Sequence, residues 1–153
     1  MSKKISTIFL SLFLVGILSV SCSNESTTGT GSADPNRGIE QYNGNTYVSD
    51  TAFDGSSVGL TTAYLWVSIQ NGQVATLPNS NNTTPPNFTG SYMGGITGSG
   101  TDYSFSAPDF QGTPDQVQGT LKFAPDGSTV TVNYSKNPVV PSFENKDFIC
   151  NKK

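Results

Sequence analysis

A chain of 153 residues has room for one modest domain, and a composition of 12% charged and 34% apolar residues excludes both a coiled coil and a charge-driven disordered protein. Eleven acidic residues against eight basic ones give a formal charge of −3, so there is no basic surface to gain from counterion release on nucleic acid. Histidine is absent, which removes the usual general base near neutrality, the commonest zinc ligand and every Ser-His-Asp or Cys-His arrangement.

Residues 1–22 fall into three parts: a basic start at Lys3 and Lys4, an apolar run from Ile5 to Val20, and small residues leading to Cys22. That is the plan of a secretory signal peptide. The run is shorter than the roughly 20 apolar residues a membrane span needs, and Ser6, Thr7, Ser11, Gly16 and Ser19 interrupt it. Its end, Leu18-Ser-Val-Ser-Cys-Ser-Asn24, resembles the lipobox of bacterial lipoproteins. The form is the relaxed one of spirochaetes and Bacteroidetes, with Ser19 three places before the cysteine and Leu18 one place earlier.

The resemblance implies cleavage between Ser21 and Cys22, diacylglycerol on the Cys22 thiol, and an acyl chain such as palmitate on the new amino terminus. It places the protein in the bacterial cell envelope, held by that lipid to the outer membrane or cell surface rather than to the inner membrane. Each buried methylene adds about 0.8 kcal/mol, so several acyl chains together anchor a protein almost permanently. The mature form would keep 132 residues, with six basic side chains against eleven acidic ones. Attraction to nucleic acid or to anionic headgroups is then weaker still. The residues alone also allow plain secretion, with Cys22 unmodified and paired to Cys150.

The domain organisation expected is a signal peptide over 1–21, the lipidated cysteine and a flexible tether over 22–37, and a single β domain over 38–153. Ser23 to Asn36 contains no large apolar residue, so it cannot bury enough surface to offset the entropy of ordering.

Within the domain, short runs of alternating apolar and polar residues predict half-buried strands. A first is Thr46–Ser49. Tyr64–Ile69 and Gln73–Leu77 form a hairpin through Asn71-Gly72, residues that tolerate positive φ. Pro78–Asn87 is a polar, proline-punctuated loop, long and mobile. Phe88–Met93 and Thr101–Ser106 are weaker strand candidates. Between them the glycine run from Met93 to Thr101 predicts turn and bulge geometry; it lacks the lysine and following helix of a phosphate cradle.

Val117–Phe123 and Thr129–Tyr134 form the clearest hairpin, through Asp126-Gly127. Ser142–Phe148 could make one helical turn after Pro141, and Asp147–Cys150 ends the series. Seven to eight strands with turn signals between them predict an all-β fold, a small antiparallel barrel or a sandwich. Their count and order resemble the lipocalin-like domains of small bacterial lipoproteins, which implies an up-and-down barrel, either holding an apolar ligand or packed solid.

No catalytic, metal or cofactor site is predicted. Cys150 lacks a neighbouring base and reads as a buried small residue, with an intermolecular disulfide as the alternative. The eleven carboxylates lie mostly in turn contexts, Asp109 and Asp115 among them. Six Tyr, nine Phe and one Trp remain, and Tyr64 with Trp66, on one strand face, are the ligand-binding candidates, against a reading in which they are simply core. The expected function is therefore a non-enzymatic binding or interaction domain on a membrane-anchored envelope lipoprotein, its ligand open between protein, glycan and small apolar molecule. The alternatives are a carrier of a small apolar ligand inside a barrel, and a structural or host-contact surface protein with exposed aromatics and mobile loops near residues 78–90.

Overall fold

A computed structural model describes residues 31–108 and 116–153 of the chain. The strand segments are β1 (Thr46–Ser49), β2 (Tyr64–Gln70), β3 (Gln73–Asn79), β4 (Tyr92–Met93), β5 (Ile96–Ser99), β6 (Asp102–Ala107), β7 (Val117–Phe123), β8 (Thr129–Lys136) and β9 (Asp147–Lys152). They make one sheet in the order β4-β3-β2-β1-β9-β8-β7-β6-β5. Neighbours in the sheet are neighbours in the chain except at one place, where β9 returns to pair with β1 through Tyr47↔Lys152 and Ser49↔Cys150. A single sheet curling back on itself decides for the barrel over the sandwich.

Strand direction explains how the ring closes. Every pairing is antiparallel, so direction alternates along the sheet and its two edge segments, β4 and β5, point the same way. Only Gly94 and Gly95 separate them, a link that spans at most about 11 Å from Met93 to Ile96. The two segments are thus one kinked strand, residues 92–99. Its first half pairs with β3 through Val74↔Met93 and Ala75↔Tyr92, and its second half with β6 from Ile96↔Phe105 to Ser99↔Asp102.

Nine segments therefore act as eight strands, the even number that an all-antiparallel ring requires, and the seam lies at the glycine pair. Gly95 has φ +70°, and a Cβ there would strike the Ser106 carbonyl oxygen. At this position the strand swings from one neighbour to the other with no room for a side chain.

Alternate residues of each strand face inward and form one buried cluster, which includes Leu65, Val67 and Ile69 of β2 and Val130, Val132 and Tyr134 of β8. An eight-stranded ring is just wide enough for side chains to fill. The ends differ. One is made of short turns: Asn71-Gly72, with φ of 52° and 71°, joins Gln70 to Gln73, the tight hairpin expected there. Gly100-Thr101 joins β5 to β6, and a five-residue turn, 124–128, with Gly127 at φ +68° joins β7 to β8.

A 3-10 turn at Ile39–Tyr42 caps this end. The Tyr42 ring stacks on Phe123 at 3.8 Å, and its hydroxyl donates to the Gly100 carbonyl at 3.0 Å. Tyr47 donates to the Gly127 carbonyl at 3.1 Å. Upstream, the Ala33 amide donates to the Pro125 carbonyl at 2.6 Å, so the docked chain starts before Gly38, where the sequence suggested the fold begins. The other end carries the long connections over 50–63, 80–91 and 137–146. Further 3-10 turns lie at Ser56–Val58 and Pro141–Phe143; the latter is shorter than the single turn expected over Ser142–Phe148, whose last two residues belong to β9.

Burying so many hydroxyls and one thiol has a consequence at high pH. Burial pushes Tyr47 up to about 12, against an opposing hydrogen bond from Asn45, and raises Tyr42, Tyr103 and Tyr134 as well. Groups raised in the folded state hold protons that the unfolded chain releases, so they leave stability intact below pH ~10 and erode it as pH rises toward ~12. Tyrosinate absorbance from the buried rings should appear together with loss of the sheet signal in circular dichroism. Titration of all six tyrosines near pH ~10 in a still-folded barrel would contradict this.

Candidate functional site

At the long-loop end the interior is crossed by one hydrogen bond. Tyr134 reaches from β8 to β3, where its hydroxyl donates to Thr76 Oγ1 at 2.6 Å. In the sheet β2, β1 and β9 lie between these strands, so the bond runs across the lumen and plugs it. Edge-on contacts of Tyr134 with Phe105 and Phe148 fill the same level.

Above this floor the described residues leave a cleft of about 250 Å³, lined by Leu65, Val117, Val140 and Phe143 with Thr76 and Asn137. The 137–146 connection builds one wall. The Asn137 amide donates to Glu144 Oε1 at 2.7 Å, and Asn137 Oδ1 accepts from the Val140 amide at 2.8 Å. Asn145, at φ 58°, donates its amide to the Tyr134 carbonyl at 2.8 Å. Phe143 is wedged against Phe53 and Phe148, with ring centroids 4.8 and 4.9 Å away. The cleft lining is mostly apolar, with Thr76, Tyr134 and Asn137 as its polar side chains.

The two residues singled out from the sequence do not line this cleft. Trp66 lies on the outer face of β2, in register with Val48 and Leu77, yet it is fully buried. The 80–91 connection covers it, and Trp66 Nε1 donates to the Asn81 carbonyl at 2.8 Å. Asn81 Oδ1 in turn accepts the Thr83 and Thr84 amides. Ser68 and Tyr92 share a hydroxyl hydrogen bond of 3.0 Å on the same face.

The segment expected to be a mobile loop is instead pinned to the barrel wall, and its base is the tryptophan expected to be either core or a binding platform. Tyr64 is half-buried. Among the described residues Ile149, on β9, is the large apolar side chain left exposed.

Cys150 is the buried small residue the sequence suggested. It is fully enclosed, with Sγ 3.7 Å from the Leu65 and Phe148 carbonyl oxygens. Burial, with the Asp50 carboxylate adding to it, pushes its thiol up to about 12. A disulfide to another chain or to Cys22 would require β9 to leave the ring. Thiol reagents should therefore modify Cys150 only after denaturation, and rapid labelling of the native protein there would count against this interior.

Asp34, Asp54 and Asp126 each accept the amide two residues on and so serve turns. Asp54 and Asp126 are held below the usual carboxylate range by hydrogen bonds from Ser56 and Ser128. Among the described residues no three His, Cys, Asp or Glu side chains converge. Ser21, Cys22, Asp109 and Asp115 lie outside the described residues.

The cleft residues Thr76, Asn137, Val140 and Phe143 were not singled out from the sequence. One signal was present: Asn137-Pro138 is a turn-forming dipeptide at the end of a strand. That it would close over an inward-facing tyrosine could not be read locally. No family model matches the chain, and neither the curated proteins nor the solved structures compared with it yield a match.

Proposed function

We propose that this is an envelope lipoprotein, anchored through lipid on Cys22, whose barrel is a non-enzymatic binding module receiving a small apolar group in the cleft at its mouth. The observation that carries the reading is the cleft itself, an apolar recess over a packed floor, slightly smaller than the usual small-molecule site. A carrier with its ligand deep in the lumen is less well supported, since Tyr134 and its neighbouring rings occupy that space.

The placement of the N-terminal chain fits the anchor. Ala33 docks at the short-turn end against Pro125, eleven residues after Cys22. Such a link reaches at most about 40 Å. A lipid on Cys22 would keep the short-turn end within that distance of the membrane.

Two measurements test the two halves of the reading. Native protein should begin at Cys22, carry the mass of diacylglycerol and enter the detergent phase, while Cys22→Ala stays aqueous. Equal partitioning of both forms would overturn the anchor. For the cleft, butylbenzene should bind saturably to the wild type, and Val140→Trp, which fills the recess, should weaken it at least about tenfold, or ~1.4 kcal/mol. Binding that ignores this substitution would place the site elsewhere.

A further inference from the structure

We propose that Asn71 is a latent deamidation site, held in check by a hydrogen bond from the Gly72 amide to the side chain of Asn43. Asparagine is among the chemically labile side chains, and a following glycine leaves the next amide nitrogen unshielded by any side chain. In the reaction the Gly72 nitrogen gives up its proton and attacks Asn71 Cγ. The new C–N bond closes a succinimide, the bond to the side-chain nitrogen breaks, and ammonia leaves with the proton. Water then opens the ring at either carbonyl, giving aspartate or isoaspartate with one more negative charge and no change of oxidation state.

The chain carries this dipeptide twice, at Asn43-Gly44 and Asn71-Gly72, and the fold brings the two together. The Gly72 amide donates to Asn43 Oδ1 at 3.0 Å, and the Gly44 amide donates to the Ile69 carbonyl at 2.8 Å. At both places the nitrogen that would attack has its proton held by an acceptor. The bond to Gly72 also turns the Asn43 side-chain carbonyl toward the 71–72 turn instead of toward its own Gly44 nitrogen.

The two protections differ in strength. Gly44 is bound by a backbone carbonyl of β2, and a second backbone bond, from the Ile69 amide to the Asn45 carbonyl at 3.0 Å, ties the same two segments. Gly72 is bound by an exposed side chain. Asn71 is itself exposed, at φ 52°, and a Cβ built on Gly72 would meet nothing within 4 Å, so water and hydroxide reach the turn. A single exposed bond opens more readily than a pair of backbone bonds. Of the two sites, Asn71 is the one that reacts first.

The reaction would strike a position where the backbone matters. Asn71-Gly72 is the whole link between the paired residues Gln70 and Gln73, and both its residues have positive φ, as a two-residue hairpin requires. Isoaspartate adds one carbon to the main chain at that link.

The test follows the native protein at mildly alkaline pH by intact mass and peptide mapping, beside the same protein in urea. In the folded wild type Asn71 should convert before Asn43, and both should convert far more slowly than in urea. Asn43→Ala removes the acceptor, and the Asn71 rate is expected to rise about fivefold, the population change that one net hydrogen bond corresponds to. Asn43 is exposed, so its truncation leaves the core untouched, and amide exchange in β2 and β3 beyond the turn should stay as it is. Asn43→Asp keeps an acceptor and should hold the wild-type rate.

An Asn71 rate unchanged by Asn43→Ala would overturn the proposal and assign the restraint to the turn geometry alone. Conversion of Asn71 as fast in the folded protein as in urea would show that no restraint exists. Conversion of Asn43 ahead of Asn71 would reverse the ranking on which the assignment of the site rests.

Discussion

Trp66→Ala is expected to lower the unfolding free energy by about 3–5 kcal/mol, the range for losing a fully buried large aromatic. The indole is enclosed, but on the outside of the ring, where it is the floor on which the 80–91 connection rests. Its removal should therefore have two signatures. Urea denaturation should report the stability loss, and amide hydrogen exchange should report faster exchange across residues 80–91, which lose both the ring and the acceptor role of the Asn81 carbonyl. Trp66→Phe keeps most of the packing and gives up the hydrogen bond, so about 1–2 kcal/mol is expected. A Trp66→Ala form losing under ~1 kcal/mol, with exchange in 80–91 unchanged, would mean that the connection is held by other contacts.

The second large effect is expected at Gly119 in β7. A Cβ built there lies 2.5 Å from Phe105 Cζ and also runs into the Asn133 carbonyl oxygen. Next to it the β7–β8 register shifts, from Gln118↔Lys136 to Gly119↔Tyr134, a bulge that presses β8 backbone toward β7. Gly119→Ala should cost about 2–3 kcal/mol, at the upper part of the overpacking range, because one of the two obstacles is backbone and cannot rotate away. Pairing it with Phe105→Leu should recover only part of that loss, since the Asn133 contact remains. Full recovery in chemical denaturation would show that the ring alone sets the limit, and a neutral Gly119→Ala would show that β7 can shift outward freely.

Much of the fold was legible because its signals are local. Asn71-Gly72 sets a two-residue turn whatever surrounds it, and Leu65, Val67 and Ile69 declare an inward face by spacing alone. Cys150 could be placed inside because a free cysteine with no neighbouring base is among the residue types most often buried. Other features depend on segments distant in sequence. Trp66 has the spacing of an outward residue and the composition of an inward one, and only a connection that starts fourteen residues later resolves the conflict.

The strand within Ile96–Ser99 was hidden because Gly94, Gly95 and Gly98 are turn formers in isolation, whereas here they permit a strand to bend and change partners. The cleft was the least legible part. Thr76 looks like any strand threonine, and its role arises only because β8 carries, two residues before its end, Tyr134, a side chain long enough to cross the barrel.

The pairing of β9 with β1 differs in kind from the others. All the rest join segments consecutive in the chain, while this one joins Tyr47 to Lys152. Loop-closure entropy makes such a contact late and slow compared with the hairpins beside it. Before that pairing forms, the half-made barrel is a curled ribbon with β1 uncovered, open to pairing with other strands. β9 removes that hazard, so the protein becomes safe from edge-to-edge association only once Asp147–Lys152 has paired with β1.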